Sequence, residues 1–454
     1  MYKQENEGNI KPNKRQKDVK TLEKKAVRSW VMYDWANSAF ATTMMAAVLP
    51  VFYSTVAASG LERHLATAYW GYTQSVAMLI IAVLAPVLGS LADLAGAKVL
   101  FLRIFSYLGI LSTLMFVFIG EGDWLWASIL FIFASVGYSG GNVFYDALLT
   151  DLVPEEKRDY ISAKGYAYGY IGGGLLLAVN MVMIQMPQLF GLPDSLSGTR
   201  LAFASVALWW FIFSLSIFRN VRDRRVKRRL NIVQYARAGF QNGWHTFMEI
   251  MKLPELLKFM IAFWFFNDGI STIIRMATIY GSEIGIGTSD LIIALFITQF
   301  VGIPFTLLFG KIAEKIGSKR SLYLSLSIYV MIVALGYFMT SAVHFYALAI
   351  MVGFVQGGSQ AIARSLFSYL IPVSKSASFF GFLNISSKFA AIFGPFVFAL
   401  VGQLMGSNRY GILSLLFFFI VGMALLVTVN LDKGRREAER YKQPPVLSTT
   451  TPYL

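Results

Sequence analysis

The chain has 454 residues, of which 56% are hydrophobic and only 14% are charged, against roughly 25% charged residues in soluble domains. A soluble protein of this length would have too few polar residues to cover its surface, so the composition favours a chain largely surrounded by lipid. Cysteine is absent, which excludes disulfides and thiolate chemistry, and three histidines near segment ends argue against a histidine-rich metal site. The net charge of +15 therefore raises the question of membrane orientation before that of nucleic acid.

Twelve apolar stretches are long enough to cross a hydrocarbon core of roughly 30 Å as helices. They run over residues 30–56, 66–92, 99–119, 124–150, 160–184, 201–218, 256–280, 291–309, 322–339, 345–370, 379–404 and 412–429. The first stretch is too long for a removable signal peptide and lacks a small-residue cleavage site. The predicted fold is therefore an all-α polytopic membrane protein with twelve transmembrane helices.

The distribution of Lys and Arg predicts the orientation of these spans. Of the 40 basic residues, 34 lie on the side that holds both termini or at the span ends on that side. Arg63, Arg200 and Arg409 lie on the opposite side, and three more lie inside spans. Because cytoplasmic loops carry the excess of basic residues, we expect both termini in the cytoplasm, with the bacterial inner membrane as the location.

An internal repeat divides the chain. The stretch from Gly89 to Lys98 has the spacing G-x-x-x-acid-x-x-G-x-K, and the stretch from Gly310 to Lys319 repeats it 221 residues later. A second match aligns Asp146 with Arg364, together with flanking residues, at an offset of 218 residues. Two matches at nearly one offset predict two halves of six spans. The expected domains are an N-terminal tail (1–29), a six-helix bundle (30–218), a linker (219–254), a second six-helix bundle (255–430) and a C-terminal tail (431–454).

Six plus six spans, termini on one side and the loop motif in both halves resemble the major facilitator superfamily. A narrower resemblance, to its vacuole effluxer-like branch, rests on the segments SWVMYDWANSAF at 29–40, NDG at 267–269, QGGSQ at 356–360 and FFGF at 379–382. A fungal autophagy-related member of that branch exports amino acids from the vacuole. The resemblance implies a transporter that needs no cofactor, and not an enzyme.

Polar residues inside the predicted spans occur mainly on spans 1, 4, 5, 7, 10 and 11. An ionisable residue costs roughly 2.5–3.5 kcal/mol at the centre of a membrane helix on insertion scales, so those that persist usually face a bundle interior or a cavity. The candidate substrate or coupling cavity comprises Asp34, Asn37, Asn142, Tyr145, Lys164, Tyr168, Asn267, Asp268, Thr272, Arg275, Gln356, Gln360, Asn384 and Lys388. The resemblance agrees, since spans 1, 4, 7 and 10 line the central cavity of the superfamily fold.

Six residues near the cytoplasmic ends of the spans are candidates for gating. We interpret Asp93 with Lys98, and Glu314 with Lys319 and Arg320, as ion pairs of the loop motif that hold one conformation of the two halves. The alternative is that these charges only solvate the loops. Asp146 and Arg364 occupy equivalent positions of the repeat. Their charges are expected to pair in one state and separate in the other, and the alternative is a permanent structural ion pair.

Asp268 lies about ten to twelve residues into its span, which places it roughly 15–18 Å deep, near the membrane midplane. A carboxylate there is a candidate proton-coupling site, because a medium of low dielectric constant disfavours its charged form. The alternative is constant pairing with Lys388 or Arg275. Asp34, Asp146 and Asp268 nearly balance Arg275, Arg364 and Lys388 in charge.

Spans that carry charged residues of both signs suit the binding of an amino acid or similar zwitterion, or else of a small organic anion. The predicted function is secondary transport of such a solute by rocking of the two halves, with protons as the coupling ion and a monomer as the functional unit. A lipid or lysolipid flippase of the same fold is the alternative. A membrane enzyme or receptor is disfavoured, since the sequence shows neither a paired-carboxylate or metal site nor a soluble domain.

The linker carries a basic run at 222–229, followed by an apolar face from Phe240 to Met251. This pattern predicts an amphipathic helix at the cytoplasmic membrane surface that contacts lipids, including anionic headgroups. Nucleic acid is not an expected partner, because the run is short and its position is explained by orientation.

Overall fold

The structure is a computed structural model. It describes the backbone of residues 14–61, 63–223, 232–405 and 407–440. Within these ranges the side chains are described except at 14–22, 63–68, 71, 72, 75, 82, 86, 232–240, 242, 278, 279, 282, 283, 288, 289, 292, 385–392, 399, 403 and 408.

The described chain is helical throughout its regular elements. In chain order the α-helices are α1 (Lys14–Ala39), α2 (Leu49–Phe52), α3 (Arg63–Ala95), α4 (Lys98–Met115), α5 (Trp124–Leu152), α6 (Arg158–Gln185), α7 (Ser195–Asn220), α8 (Ile232–Met251), α9 (Pro254–Glu283), α10 (Thr288–Ile316), α11 (Ser318–Tyr337), α12 (Ala342–Leu370), α13 (Ser376–Met405), α14 (Asn408–Val427) and α15 (Leu431–Arg440).

Ten of the described helices are long and apolar enough to cross a membrane, and a bent pair of helices at the start of the chain is an eleventh candidate. Helix α13 is 30 residues long and occupies the position of the predicted eleventh span. All twelve predicted spans therefore fall on helices, as expected for two halves of six, α1–α7 and α9–α14.

The first span differs from the single straight helix that its apolar run predicted. Helix α1 begins at Lys14, inside the segment predicted to be a polar tail, and passes into a π-helical segment, Phe40–Ala47. After Val48 the chain continues through α2 into a second π-helical segment, Tyr53–Ala57, and the two parts of the span are inclined by 41°. Such π-helical segments are rare and often occur at functional sites.

The backbone conformation explains the second glycine of the repeated loop motif in both halves. Gly96 and Gly317, its second glycines, both have positive φ values, of 57° and 89°. Only glycine adopts this region without a steric cost, and it allows the tight turns from α3 to α4 and from α10 to α11. The face of the bundle that carries these two turns is called the basic face below, because the excess of Lys and Arg lies there.

Two helices that lie outside the twelve spans are attached to the basic face. Helix α8 packs against α3 and α13, and α15 packs against α9 and α12. The amphipathic pattern of the linker predicted α8. Helix α15 was not predicted, although its small and apolar residues Leu431, Gly434 and Ala438 share one helical face.

Candidate functional site

A buried arginine joins the two halves. Arg364 of α12 is only 6% exposed, and its polar contacts all lie in the first half. Its guanidinium is 3.2 Å from Asp146 and 3.6 Å from Asp34. It also donates to the hydroxyl of Ser162 at 2.8 Å and to the carbonyl of the same residue at 2.9 Å.

Aromatic rings enclose this arginine. Its guanidinium carbon lies 4.4 Å from the ring centre of Tyr166, 4.9 Å from that of Trp30 and 5.6 Å from that of Tyr145. Trp30 and Tyr145 stack at 4.5 Å, and the Tyr145 hydroxyl donates to Asp34 at 2.7 Å. We call Arg364, its two carboxylates, Ser162 and the three rings the Arg364 cluster. The carboxylates of the first half neutralise the charge of Arg364, and they can do so only while the two halves are in contact.

Gly165 makes room for the cluster on α6. A Cβ atom at this position would lie 2.5 Å from Asp34 Oδ2 and 3.2 Å from the Tyr145 hydroxyl. We expect Gly165→Ala to displace Asp34 and to lower the transport rate at least about tenfold, since small displacements in a packed site carry large costs. The matched control is Gly174→Ala on the same helix, because nothing lies within 4 Å of a Cβ at that position. Equal transport by both variants, measured in proteoliposomes, would contradict the packing argument.

Further contacts close the basic face around the loop motif of the first half. Asp93 accepts hydrogen bonds from the backbone amides of Ala377 and Ser378, at 3.2 and 2.8 Å, at the N-terminus of α13. Lys98 lies 3.6 Å from Asp93, as predicted, but it is closer to Asp151, at 2.8 Å, and it also donates to Ser376 at 2.6 Å. A carboxylate at a helix N-terminus is stabilised by the free amides and the helix dipole.

The loop motif of the second half does not make the predicted pair. Glu314 is exposed, and Lys319 instead donates to the carbonyls of Val427 and Val429, at 3.0 and 2.6 Å. The contact between halves at this loop is made by Asp159 of α6, which accepts from the Ser318 hydroxyl at 2.6 Å. The repeat predicted equivalent loops, but it could not show that a neighbouring carboxylate replaces Glu314.

The C-terminal helix α15 adds a contact between halves. Arg435 Nε lies 2.8 Å from a carboxylate oxygen of Glu155, in the loop between α5 and α6. The Arg435 guanidinium also lies 4.8 Å from the ring centre of Tyr369, whose hydroxyl donates to the Glu155 carbonyl at 3.2 Å. Helix α15 thus bridges the first half and α12 across the basic face.

Loss of this bridge should shift the protein toward a state open at the basic face. Both side chains of the Arg435–Glu155 pair are 39% exposed, so the pair contributes about 0.2–1 kcal/mol. We expect Arg435→Ala to raise the labelling of a Ser368→Cys reporter by up to about fivefold, with Arg436→Ala as the exposed control on the same helix. The natural chain has no cysteine, so the reporter would be the only thiol. Unchanged labelling would show that α15 does not help to hold the basic face closed.

On the side away from the basic face, the halves are separated by a cavity of about 690 Å³. It lies between the bent part of the first span (residues 42–56), the far end of α6 and the beginnings of α7 and α10, and we call it the far cavity. Val51 and Leu295, which line it, are 60% and 49% exposed, so the cavity is not sealed. The described contacts therefore close the basic face, whereas a cavity separates the halves on the opposite side.

Asp268 lies in the second half, away from the Arg364 cluster. Its residue exposure is 1%, and neither carboxylate oxygen has a hydrogen-bond partner among the residues that the structure describes. Gly394 of α13 packs against it, because a Cβ there would lie 2.7 Å from Asp268 Oδ1. Arg275, two helical turns further along α9, is exposed. The side chain of Lys388, the other predicted partner, lies outside the described residues.

The remaining predicted cavity residues have different environments. Asn37 donates to Asn142 at 2.7 Å, which joins α1 to α5 within the first half. Thr272 is fully buried and donates to the Asp268 carbonyl at 2.7 Å. Asn267 and Gln360 are half-buried, and Asn384, also half-buried, donates to the Phe380 carbonyl. Gln356 lines a second cavity, of about 110 Å³, inside the second half.

Lys164 and Tyr168 do not join the Arg364 cluster. The Lys164 ammonium lies 5.7 Å from the ring centre of Tyr168. Tyr168 in turn packs edge-on against Trp35, which stacks on Trp209 of α7. The two residues therefore lie in an aromatic cluster between α1, α6 and α7. Their assignment to the cavity stays a prediction, because helical spacing within α6 does not show which neighbour each face contacts.

Known proteins with similar sequences and folds were compared with the chain. The profile of the family described as vacuole effluxer Atg22-like matches residues 22–439. An uncharacterized MFS-type transporter of Bacillus subtilis, YxiO, is 39% identical over 425 residues, which cover 93% of this chain and 99% of the relative. Autophagy-related protein 22 of Eremothecium gossypii is 23% identical and covers 91% of this chain and 92% of its own length.

The fold is that of solved major facilitator transporters. The proton:xylose symporter XylE, solved with 6-bromo-6-deoxy-D-glucose, aligns with a TM-score of 0.69 at 14% sequence identity, covering 93% of this chain and 98% of its own. At that identity the likeness concerns the fold alone. The fold likeness supports the twelve-helix fold, and the family match with the Bacillus subtilis relative confirms the transporter prediction. The chain belongs to the vacuole effluxer Atg22-like family of major facilitator transporters.

Proposed function

We propose that the protein is a proton-coupled secondary transporter of an amino acid or a similar small zwitterion or organic anion, working by alternating access. The observation that carries this proposal is the position of Arg364. It is a charged residue of the second half that is buried within the first half, at the face that the described contacts close and opposite the far cavity. A rocking motion that opened the basic face would have to withdraw it from both carboxylates.

Charge balance supports a zwitterionic cargo. Separation of the halves would leave Asp34 and Asp146 without their cation and Arg364 without its anions, and unpaired charges in a buried site are costly. A solute with one ammonium and one carboxylate group can compensate both sides at once. A small organic anion can compensate Arg364 only. This reasoning favours the zwitterion over the anion.

Asp268 supports proton coupling. Among the described residues, no side chain or amide lies within hydrogen-bond geometry of its carboxylate. A buried carboxylate in such surroundings is costly when ionised, and a bound proton removes that cost. Protonation would therefore change the energy of the conformations in which Asp268 is shielded from water. The proton would be taken up and released as the surroundings of Asp268 change during the transport cycle.

A lipid or lysolipid flippase is a second candidate function, favoured by the lining of the far cavity. The lining residues that the structure describes include no charged side chain, and most are apolar, such as Val48, Leu177 and Met181. Such a lining suits an acyl chain better than a strongly polar solute.

The test that separates the two candidates uses purified protein in liposomes. Amino acids, dipeptides, small organic acids and lysolipids are first compared for thermal stabilisation, because a ligand that binds the folded state raises its stability. Solutes that stabilise the protein are then assayed for uptake with a pH-sensitive dye inside the vesicles. Uptake of a zwitterion with proton movement supports the first proposal. Movement of lysolipid without response to any zwitterion would overturn it in favour of the second.

The orientation belongs to the same proposal. We propose that the basic face lies in the cytoplasm of a bacterial cell, with the protein acting as a monomer in the inner membrane. The distribution of Lys and Arg supports this orientation. Single cysteines at Lys315 and Leu189, both exposed and at opposite faces, would report it. A membrane-impermeant thiol reagent added to intact cells should label the second position and not the first.

A further inference from the structure

Helix α8 carries an apolar face that the described residues of the protein leave largely exposed. Trp244, Phe247, Met248 and Met251 are between 40% and 62% exposed. Their spacing of three, four and seven residues places them on one side of the helix. On the other side, Thr246 and Ile250 are buried, at 2% and 3% exposure. The exposed set is called the α8 face below.

The position of α8 indicates what covers this face. The helix ends at Met251, three residues before α9 begins at Pro254 and enters the membrane. The α8 face therefore lies at the level where the spans leave the hydrocarbon core. Arg222 and Lys252, near the two ends of the linker, are exposed. An aromatic and methionine-rich face beside basic residues fits the boundary between acyl chains and anionic headgroups.

One edge of α8 contacts the beginning of α13, where the basic face is closed. Glu249 accepts two hydrogen bonds from the Lys375 ammonium, at 2.7 and 2.9 Å, immediately before α13 begins. The ring of Phe247 lies 6.1 Å from that of Phe382 on α13. Helix α8 also packs against α3 of the first half. It thus contacts both halves, and the two helices that it contacts approach each other closely where Gly89 of α3 meets the backbone of Ala377 on α13.

We propose that α8 is a membrane-surface sensor: an anionic bilayer surface covers its exposed face and holds Glu249 against Lys375, which stabilises the state closed at the basic face. When the face is covered, α8 is held beside α3 and α13 at once. When it is not covered, the contact between α8 and α13 is weakened and the halves separate more readily. The proposal concerns the gate and does not depend on which solute is carried.

The surface part is tested by fluorescence quenching in phosphatidylglycerol vesicles with brominated acyl chains. The emission of Trp244 is obtained as the difference between the natural protein and Trp244→Phe, since eight other tryptophans remain. We expect the brominated lipid to quench this difference emission by more than half. Emission at a wavelength typical of water, without quenching, would overturn the proposed membrane contact.

The gate part is tested in nanodiscs with the Ser368→Cys reporter, in neutral lipid and in lipid containing phosphatidylglycerol. We expect the anionic lipid to slow labelling from the basic face several-fold in the otherwise natural protein. The same lipid should have little effect in Glu249→Gln or in the double variant Trp244→Ser and Met248→Ser. The matched control is Glu437→Gln, a carboxylate of the basic face that lies on α15 instead of α8. Equal labelling of the Ser368→Cys reporter in both lipids, or a lipid effect that persists when Glu249→Gln is added, would overturn the coupling.

Discussion

Arg364→Ala is expected to abolish transport and to open the basic face. The substitution leaves Asp34 and Asp146 buried without their cation, and removal of one partner of a buried ion pair costs about 3–5 kcal/mol. Since each 1.4 kcal/mol is a factor of ten, labelling of the Ser368→Cys reporter should rise by about a hundredfold or until it saturates. The measurement combines uptake in proteoliposomes with the labelling rate.

Two variants distinguish a gate from a site that only supports folding. Arg364→Lys keeps the charge but not the planar group that reaches two carboxylates and two oxygens of Ser162. We therefore expect its labelling and transport rates to lie between those of the natural protein and those of Arg364→Ala. Arg320→Ala, an exposed arginine on the same face, should behave as the natural protein. If Arg364→Ala folds and transports at the natural rate, the cluster has no role in gating.

A cross-link distinguishes a cluster that opens during the transport cycle from a permanent ion pair. The Ser162 hydroxyl donates to the Ala361 carbonyl at 2.9 Å, across the interface between α6 and α12. Cysteines at these two positions, joined by a short bifunctional thiol reagent, would hold the Arg364 cluster together. We expect the cross-link to arrest transport, because the cycle requires the cluster to open. Undiminished transport would identify the cluster as a permanent structural contact.

Asp268→Asn is expected to uncouple transport from protons. The amide has nearly the shape of a protonated carboxyl group but cannot release a proton. Accumulation driven by a pH gradient should fall to the level of empty vesicles, whereas exchange of labelled for unlabelled solute should continue. Both rates are measured on one preparation over a range of pH.

Two controls accompany this prediction. Glu314→Gln removes an exposed carboxylate on the basic face and should leave both rates unchanged. Arg275→Gln tests the alternative that Asp268 is constantly paired with Arg275. If that ion pair is permanent, removal of the arginine should impair folding, because it leaves a buried carboxylate without its cation. Proton-driven uptake that survives Asp268→Asn with an unchanged pH dependence would refute the coupling role.

The general architecture could be predicted from the sequence because it depends on properties that are local along the chain. Span length, the bias of Lys and Arg and the two glycines of the repeated loop each follow from a few neighbouring residues. Gly96 and Gly317 show this most directly, since a positive φ value restricts the residue type regardless of what surrounds it. The alignment of Asp146 with Arg364 likewise indicated that two charges of opposite sign lie at equivalent depths.

The candidate site depended on tertiary contacts that no local pattern records. The sequence placed Asp34, Tyr145 and Arg364 on polar helix faces, but only the folded chain joins them to Trp30, Ser162 and Tyr166. Helical periodicity also cannot show which neighbour a side chain contacts, so the sequence did not reveal that the Lys164 ammonium lies near the ring of Tyr168. Likewise, Glu314 and Asp159 both carry a carboxylate, and packing alone decides which of them contacts Ser318.

The sequence by itself determined twelve apolar spans and a basic face, because hydrophobic length and charge bias act independently of how helices pack. That the protein is a transporter followed from the resemblance of its motifs to a known family, and not from these local properties. The tertiary structure alone decided which conformation is occupied and what holds it. A closed gate is a set of contacts between residues some 200 positions apart, such as Arg364 with Ser162 at a separation of 202. The energy of such contacts depends on distance in space, which the order of residues does not contain.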